Sequence, residues 1–479
     1  MTVASSTTAA PTNTATSSPA ATVRFGLSYG PFLRTESDAE PFATLDGNVA
    51  AVSPDGWSLA YWHSELGVAE TSADLRVIDL RTGSERPLMT AGGDRPGSVL
   101  WRSDGGALAV TGISTTSGQG VDPPPAFVRI RIADLTTGQT RELPRIERAR
   151  FQPIAWNATT RIIVGAWLGE GGLQRVFRVR DDGTVLPDIT PTERYENIVG
   201  NDDGTSLLMT YGYGESAHWY SGARVFRADS FTRTATRDLV DDVQVVGAQY
   251  RRTRGDVLAL VRLATPLLTY ALEIWPADLA GPAKRVWTSS PAPSGVGNAS
   301  VRLDGRVAYL QTFDPNVRNG GWLRIDLDTG AAATLPTNAR SVPNGPSFYV
   351  TDAAIARLKP VLIAPTITRD DAVARVRGMT KNVIRVDRID AKLTTYRDVV
   401  NRDPAMTPTL LVANAPVWAV AVGGDIRAYD GDRAIPMYWG VWYIDGRTGT
   451  AIGFNGDSRG LVPAAGTWPY FWDDVPDRR

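Results

Sequence analysis

Residues 48–89 read NVAAVSPDGWSLAYWHSELGVAETSADLRVIDLRTGSERPLM, and this stretch contains the unit from which most of the chain is built. NVAAVS leads through the turn Ser53-Pro-Asp-Gly56 to SLAYW, and LRVIDL leads through the turn Asp79-Leu-Arg-Thr-Gly83 to SERPLM. Asp-Gly and Thr-Gly supply the positive-φ residues that a tight hairpin requires. The stretch therefore predicts four short antiparallel strands.

Both turns recur about every 50 residues, which is the signature of a repeat architecture. The first series is Ser53–Gly56, Ser103–Gly106, Asn157–Thr160, Asp202–Gly204, Thr253–Asp256 and Leu303–Arg306. The second series begins at Asp79, Asp134, Asp181, Asp229, Asp278 and Asp326. One four-stranded sheet per repeat, arranged radially, is a propeller blade, and four to eight blades close a ring. Two turn series in step thus predict six blades.

These residues resemble the TolB-type propeller repeat, whose core reads Ser-Pro-Asp-Gly, an apolar strand ending in Ala-Tyr/Phe, and an Asp-Leu-x-Thr-Gly turn. Blade one matches almost throughout, blades two and six match well, and blades three to five are degenerate. The resemblance implies a WD-repeat-like fold over about 300 residues, and not a function. We predict a six-bladed β-propeller within residues 23–340. In the alternative, residues 23–46 and 341–364 combine into a seventh blade.

The pattern changes after Leu335, where the turn series stops. A capping box at Thr368–Asp371 opens the amphipathic run DDAVARVRGM, and strand-like runs follow at 383–389, 391–396, 416–426 and 437–454. One helix followed by an antiparallel sheet resembles a PepSY-type domain, a small extracytoplasmic module. The predicted fold class is therefore mainly β, a propeller followed by a small α+β domain. Its predicted parts are a tether at 1–22, the propeller at 23–340, a linker at 341–365 and the PepSY-like domain at 366–479.

The composition excludes several kinds of site. The net charge of −1 argues against a nucleic-acid partner held by bulk electrostatics, and no apolar run is long enough to span a bilayer. The chain has no cysteine and only His63 and His218, so thiolate and multi-histidine metal sites cannot form. No cofactor is expected. A hard cation such as calcium is the one metal that the residues allow, with oxygens from Asp314, Asn316 and Asn319.

Residues 1–22 hold only small or polar uncharged residues besides Val3 and Met1, and this composition predicts disorder. Thr/Ser/Pro-rich tethers commonly follow an export signal or a lipid anchor. We therefore expect an extracytoplasmic protein, secreted, periplasmic or surface-anchored. Its natural N-terminus is expected to carry an export signal or anchor that this sequence lacks.

The candidate binding residues lie where the second strand of a blade meets the third. This face of a propeller also carries the links between blades, and long loops on a rigid scaffold are where function concentrates. Blade one and blade four have the richest segments there, and in a six-bladed ring they stand opposite each other. The candidates combine both histidines with aromatic and acidic residues, as recognition patches do. They are Trp62, His63, Glu65, Tyr211, Tyr213, Glu215, His218 and Trp219.

Two functions fit these features. One is a non-catalytic binding or scaffold protein whose partner is another protein or an envelope component. It follows from two folds without a catalytic motif, since there is no P-loop and no H-E-x-x-H. The other is a propeller-funnel enzyme of the lyase, lactonase or glycosidase type. It requires His63 or His218 within hydrogen-bond reach of a carboxylate in a common pocket.

Overall fold

The structure is a computed structural model. It describes residues 22–29, 32–38, 42–45, 49–63, 73–92, 94–114, 127–144, 151–169, 172–215, 218–240, 242–264, 269–289, 296–312, 321–335, 347–358, 364–379, 385–403, 415–430, 433–458 and 468–478.

Seven sheets lie between residues 23 and 351, and each is antiparallel. In chain order their strands are β1 (Val23–Tyr29), β2 (Phe32–Thr35), β3 (Ala43–Thr44), β4 (Val49–Val52), β5 (Ser58–His63), β6 (Asp74–Asp79), β7 (Ser84–Thr90), β8 (Arg95–Trp101), β9 (Ala107–Ser114), β10 (Phe127–Asp134), β11 (Thr140–Glu142), β12 (Phe151–Trp156), β13 (Ile162–Gly169), β14 (Gly172–Arg180), β15 (Asn197–Gly200), β16 (Ser206–Glu215), β17 (His218–Arg227), β18 (Arg233–Asp238), β19 (Val243–Tyr250), β20 (Val257–Leu263), β21 (Thr269–Trp275), β22 (Lys284–Thr288), β23 (Val296–Val301), β24 (Val307–Thr312), β25 (Gly321–Asp326), β26 (Ala332–Thr334) and β27 (Ser347–Thr351).

Blades one to six follow the predicted order of strands. They are β4–β7, β8–β11, β12–β14, β15–β18, β19–β22 and β23–β26. Within the described residues blade three has three strands, and single bridges at Val185 and Ile189 stand in place of the fourth. The predicted propeller fold is confirmed by this succession of sheets.

The two turn series form the hairpins expected of them. Gly56 and Gly83 have φ values of 77° and 70°, the left-handed region in which glycine carries no steric penalty. Asp79 accepts a hydrogen bond of 2.8 Å from the Arg81 backbone N–H, and the Asp326 carboxylate binds the Thr329 N–H in the same way. All six aspartates of the second series lie at the end of a third strand or within three residues after it. Local turn chemistry thus defines one face of the ring, which we call the turn face.

Besides the six predicted blades, the described residues form a seventh sheet from strands within 23–46 and 341–364, which is the arrangement of the alternative prediction. Its order is β27-β1-β2-β3, so the C-terminal strand of the propeller lies innermost beside the N-terminal strand. Val23 pairs with Thr351, and Leu27 pairs with Ser347. β27 falls within the segment predicted as a linker. The turn series gave no sign of this blade, because no hairpin joins β27 to β1.

Apolar clusters lie between all neighbouring blades. Leu27 of blade seven meets Tyr309 and Trp322 of blade six, and Phe348 of blade seven meets Leu59 of blade one. The ring is therefore continuous through the closing sheet. Helix α1 (Asp352–Leu358) follows β27 and buries Ala354 against blades seven and one.

The C-terminal module is an antiparallel sheet between two helices. Its elements are α2 (Arg369–Met379), β28 (Arg385–Thr395), α3 (Tyr396–Arg402), β29 (Pro416–Asp430), β30 (Arg433–Asp445) and β31 (Ala451–Ser458), with sheet order β28-β29-β30-β31. The predicted helix is present as α2, and the two strands predicted at 383–389 and 391–396 are one strand. α3 was not predicted. The resemblance to a PepSY-type domain stays a prediction.

Each face of this sheet has its own core. Ala372 and Val376 of α2 pack on Trp418 and Val420, while the opposite face carries Val399 of α3. Phe471 and Trp472 of the C-terminal segment cover that second face, with exposed fractions of 3% and 1%. Phe471 and Trp472 therefore form part of a strap over the sheet, whereas Tyr470 between Pro469 and Phe471 is 56% exposed.

Candidate binding face

The candidate binding face, here called the loop face, is the side opposite the turn face. It carries the connections between second and third strands and the links between blades. The sequence placed its richest segments on blades one and four. Among the described sheets, blades one and four are separated by two blades on one side and three on the other, whereas a ring of six would set them directly opposite.

Trp62 and His63 end β5 in blade one, and neither side chain is fully exposed. The Trp62 indole Nε1 donates to the Gly97 carbonyl of blade two at 3.1 Å, and its ring packs on the cluster between these blades. His63 is 8% exposed, and its Nε2 lies 4.0 Å from the nearest oxygen of Asp74. That separation is longer than a hydrogen bond and within the range of an ion pair with a protonated imidazole. Glu65 lies outside the described residues.

The candidate residues of blade four lie on a long hairpin. β16 runs to Glu215 and β17 starts at His218, so only residues 216–217 connect them. Backbone pairing sets Tyr213 opposite Tyr220 and Glu215 opposite His218, with Trp219 opposite Gly214. The candidate residues of blade four are thus neighbours at one hairpin tip. The side chains of residues 213–220 lie outside the described part of the chain, as do Asp314, Asn316 and Asn319.

Tyr211 lies just below this tip and is the centre of a polar cluster that the sequence did not predict. Its hydroxyl donates to Asp238, and the Arg224 guanidinium lies 4.7 Å from the centre of its ring. Arg224 Nη1 is also 2.7 Å from Asp238 Oδ1. Arginine is thereby held on one side by an aromatic face and on another by a carboxylate.

Glu193 completes the cluster from the link between blades three and four. It accepts a hydrogen bond of 2.8 Å from the Tyr195 hydroxyl and lies 3.3 Å from both Arg224 and Arg233. The Arg224 side chain is 10% exposed, whereas those of Asp238 and Arg233 are 65% and 53% exposed. The buried arginine is therefore fixed, and the outer charges stay accessible. We define the Tyr211 cluster as Glu193, Tyr195, Tyr211, Arg224, Arg233 and Asp238.

Gly222 makes the contact between Tyr211 and Asp238 possible. It pairs with Tyr211 on one side and with Asp238 on the other, so it stands between them in the sheet. A Cβ at this position would lie 2.5 Å from the Tyr211 hydroxyl oxygen and 2.2 Å from the Arg237 carbonyl oxygen. The missing side chain lets the phenol cross β17. A glycine flanked by a tyrosine and an aspartate on adjoining strands is the signal that sequence reasoning could have used.

The cluster keeps its tyrosines protonated and its carboxylate charged. Burial raises the pKa of Tyr211, and with the hydrogen bond to Asp238 it reaches about 12. Burial also raises the pKa of Tyr195. The hydrogen bond from Tyr211 holds the pKa of Asp238 below its ordinary value. The two arginines balance the two acids, so the surface offers paired donors and acceptors with no net charge.

The pattern G-x-S-x-G occurs twice, at Gly26–Gly30 and Gly456–Gly460. A nucleophile elbow needs its serine exposed on a sharp strand-to-helix turn. Ser28 lies inside β1 and is 1% exposed, and Ser458 ends the outer strand β31 of an antiparallel sheet. Neither described setting has the geometry of that motif.

Within the described ranges, no three acidic, histidine or cysteine side chains are grouped as metal ligands would be. Nor is any helix there long and apolar enough to cross a bilayer.

A scan against protein-family models and a search of curated proteins gave no match. Among solved structures, the chain is similar to TolB from Acinetobacter baumannii, with 12% identity and a TM-score of 0.37 over 62% of this chain and 67% of that one. It is similar to the β-propeller domain of the Trilobed protease from Pyrococcus furiosus, with 11% identity and a TM-score of 0.41 over 60% and 82%. An oligogalacturonate lyase in complex with manganese gives 14% identity and a TM-score of 0.42 over 64% and 80%. These similarities concern the fold.

Proposed function

We propose that this propeller is a non-catalytic binding protein whose protein partner docks on the loop face at blade four. The observation that carries the proposal is the Tyr211 cluster, in which a nearly buried arginine is fixed between a tyrosine ring and two carboxylates. Tyrosine and arginine are the residue types that most often anchor protein interfaces. The hairpin tip above the cluster adds the predicted residues Tyr213, Glu215, His218 and Trp219.

The charge pattern favours a partner with mixed polar groups. Glu193 and Asp238 accept hydrogen bonds, Arg233 donates them, and the four charges of the cluster cancel. A strongly acidic or basic partner would gain little long-range attraction from such a surface. Short-range complementarity would instead determine the affinity.

The proposal includes a location outside the cytoplasm and a partner that is an envelope component. The charge-free Ser/Thr/Ala/Pro composition of residues 1–22, typical of tethers, supports it. Fractionation of native cells with an antibody against the chain tests the location. Recovery in the cytoplasmic fraction alone would contradict it.

The binding site is tested with a double variant, Arg233→Ala with Asp238→Asn. Both side chains are more than half exposed, so the ring should stay folded. The full chain is immobilised, proteins are captured from a native envelope extract, and the recovered partner is purified for affinity measurement. We expect a Kd about 5–150-fold weaker for the double variant, equivalent to about 1–3 kcal/mol.

Arg81→Ala is the matched control. Arg81 lies in the turn after β6, at the turn face of blade one, is 52% exposed and lies 3.3 Å from Asp55. The control should bind as the unmodified chain does. Equal affinities for all three proteins would exclude the loop face of blade four as the binding site.

A further inference from the structure

A cavity of about 410 Å³ lies beside the innermost strands of blades four, five and six. Its volume falls within the range of small-molecule sites, about 300–1,000 Å³. The cavity is lined by Asn197, Val199, Gly247, Ala248, Gln249, Leu258, Leu260, Ala299, Ser300 and Trp322.

None of these lining residues carries a charge. Asn197, Gln249 and Ser300 supply polar groups, while leucines, alanines and Trp322 supply apolar surface. The Gln249 amide is fixed by a hydrogen bond of 2.9 Å from its Nε2 to the Ala299 carbonyl. A charged ligand would lose its hydration here without an opposite charge in return. The lining therefore suits an uncharged molecule.

Trp322 gives a second, independent indication of a ligand. It is 2% exposed, and its indole Nε1 has no hydrogen-bond acceptor among the described residues. An unsatisfied buried N–H costs about 1–3 kcal/mol. An oxygen atom of a bound molecule would satisfy this donor.

We infer that the cavity binds an uncharged organic molecule with an apolar body and a hydrogen-bond-accepting oxygen, which contacts Trp322. The site lies among inner strands and shares no lining residue with the Tyr211 cluster, so it is tested separately from the protein partner proposed above.

Two isosteric probes test the inference, 2-naphthamide and 2-naphthoate, which differ in charge. Binding to the full chain is measured by calorimetry and by ligand-observed NMR. We expect the neutral amide to bind with a Kd of about 1 mM or tighter, and the carboxylate to bind at least about tenfold more weakly. Trp322→Phe removes the indole donor and should weaken the amide about threefold to tenfold.

Gly247→Leu is the blocking variant. A Cβ at Gly247 would meet no heavy atom within 4 Å, so a side chain can occupy the cavity without displacing its neighbours. Val246→Leu is the matched control, because Val246 is adjacent, 38% exposed and not part of the lining. We expect Gly247→Leu to abolish amide binding and Val246→Leu to preserve it. Failure of the amide to bind the unmodified chain, equal binding of both probes, or full binding to Gly247→Leu would each overturn the inference.

Discussion

Arg302 in blade six donates a hydrogen bond of 2.8 Å to Glu36, which precedes it by 266 residues in the chain. Arg302 also binds Asp304 through two nitrogens, at 3.0 and 2.7 Å, and lies 4.0 Å from the Phe25 ring centre. Glu36 accepts a second hydrogen bond from Arg324. The carboxylate thus joins blade seven to blade six where the ring closes.

Replacing Glu36 by glutamine should lower the free energy of unfolding by about 1–3 kcal/mol, because Arg302 loses a partner in a largely buried setting. Glu85→Gln is the control, since the Glu85–Arg76 pair is about one-third exposed and should contribute at most about 1 kcal/mol. Denaturant unfolding measures both. A loss of stability at Glu36 no larger than at Glu85 would contradict a stabilising role of Glu36 between blades six and seven.

The closing strand should depend on the fit of Phe348 over Gly26. Phe348 is fully buried, and a Cβ at Gly26 would lie 2.0 Å from its ring. We expect Phe348→Ala to cost about 3–5 kcal/mol and Gly26→Ala to destabilise by overpacking. The double variant should be less destabilised than the sum of the two, because the added methyl enters the vacated space. Additive losses in unfolding experiments would show that the two sites do not share that space.

Trp62 should act as a structural residue. Its ring packs on the cluster between blades one and two, so Trp62→Ala is expected to cost about 2–4 kcal/mol of stability. Trp62→Phe keeps most of that packing and loses the hydrogen bond to Gly97, a cost of about 1 kcal/mol. Thermal unfolding distinguishes the two variants. An unchanged melting temperature for Trp62→Ala would contradict the structural role and favour the predicted role of Trp62 in binding.

Residues 364–479 should fold without the propeller. Both cores of the C-terminal sheet are made by residues of this segment, Ile367 being the first and Val475 the last. Four strands covered on both faces are sufficient for independent stability. We expect the fragment to unfold cooperatively in denaturant. A non-cooperative transition in the fragment, with a cooperative one in the full chain, would be the contrary result.

Asp398 should control the acid stability of that module. Burial acts to raise the pKa of Asp398, but hydrogen bonds from Arg478 and Thr395 outweigh it and hold the pKa below its ordinary value of 3.8. A carboxyl whose pKa is lower in the folded state stabilises the fold above about pH 4, and that contribution is lost as the pH falls through the folded-state pKa.

Asp398→Asn should therefore be less stable at neutral pH and should lose less stability below about pH 4 than the unmodified chain. The measurement is denaturant unfolding of the full chain across this pH range. Asp473→Asn serves as control, because Asp473 is exposed. Parallel pH profiles for Asp398→Asn and the unmodified chain would reject the assignment.

The parts of the fold that depend on residues close together in the sequence were predictable from it. Turns such as Asp79–Gly83 carry their geometry in four or five residues, and repetition supplied the register of six blades. The seventh blade depends on pairing between β1 and β27, which no short motif encodes. Helix α3 was also not predicted, because it has only seven residues and lies between two strands.

In the candidate site too, residue types were predictable from the sequence, whereas the contacts between them were not. Tyr211 was predicted from its place near a loop, but Asp238, which accepts its hydrogen bond, comes from an outer strand, and Glu193 of the same cluster comes from a link. Their meeting depends on Gly222 and on strand register, and neither was evident from residue type alone. Trp62 and His63 share the composition of a recognition patch, yet Trp62 packs on the cluster between blades one and two, and His63 is 8% exposed.

The place of β27 in the sheet has a consequence for synthesis on the ribosome. β1 emerges more than 300 residues before the strand that pairs with it. At about 5–20 residues per second, roughly 15–60 s pass before that partner exists. During this interval one edge of β1 lacks its native neighbour, and unpaired edges recruit strands of other chains. The nascent propeller therefore needs protection from association until Thr351 has left the exit tunnel.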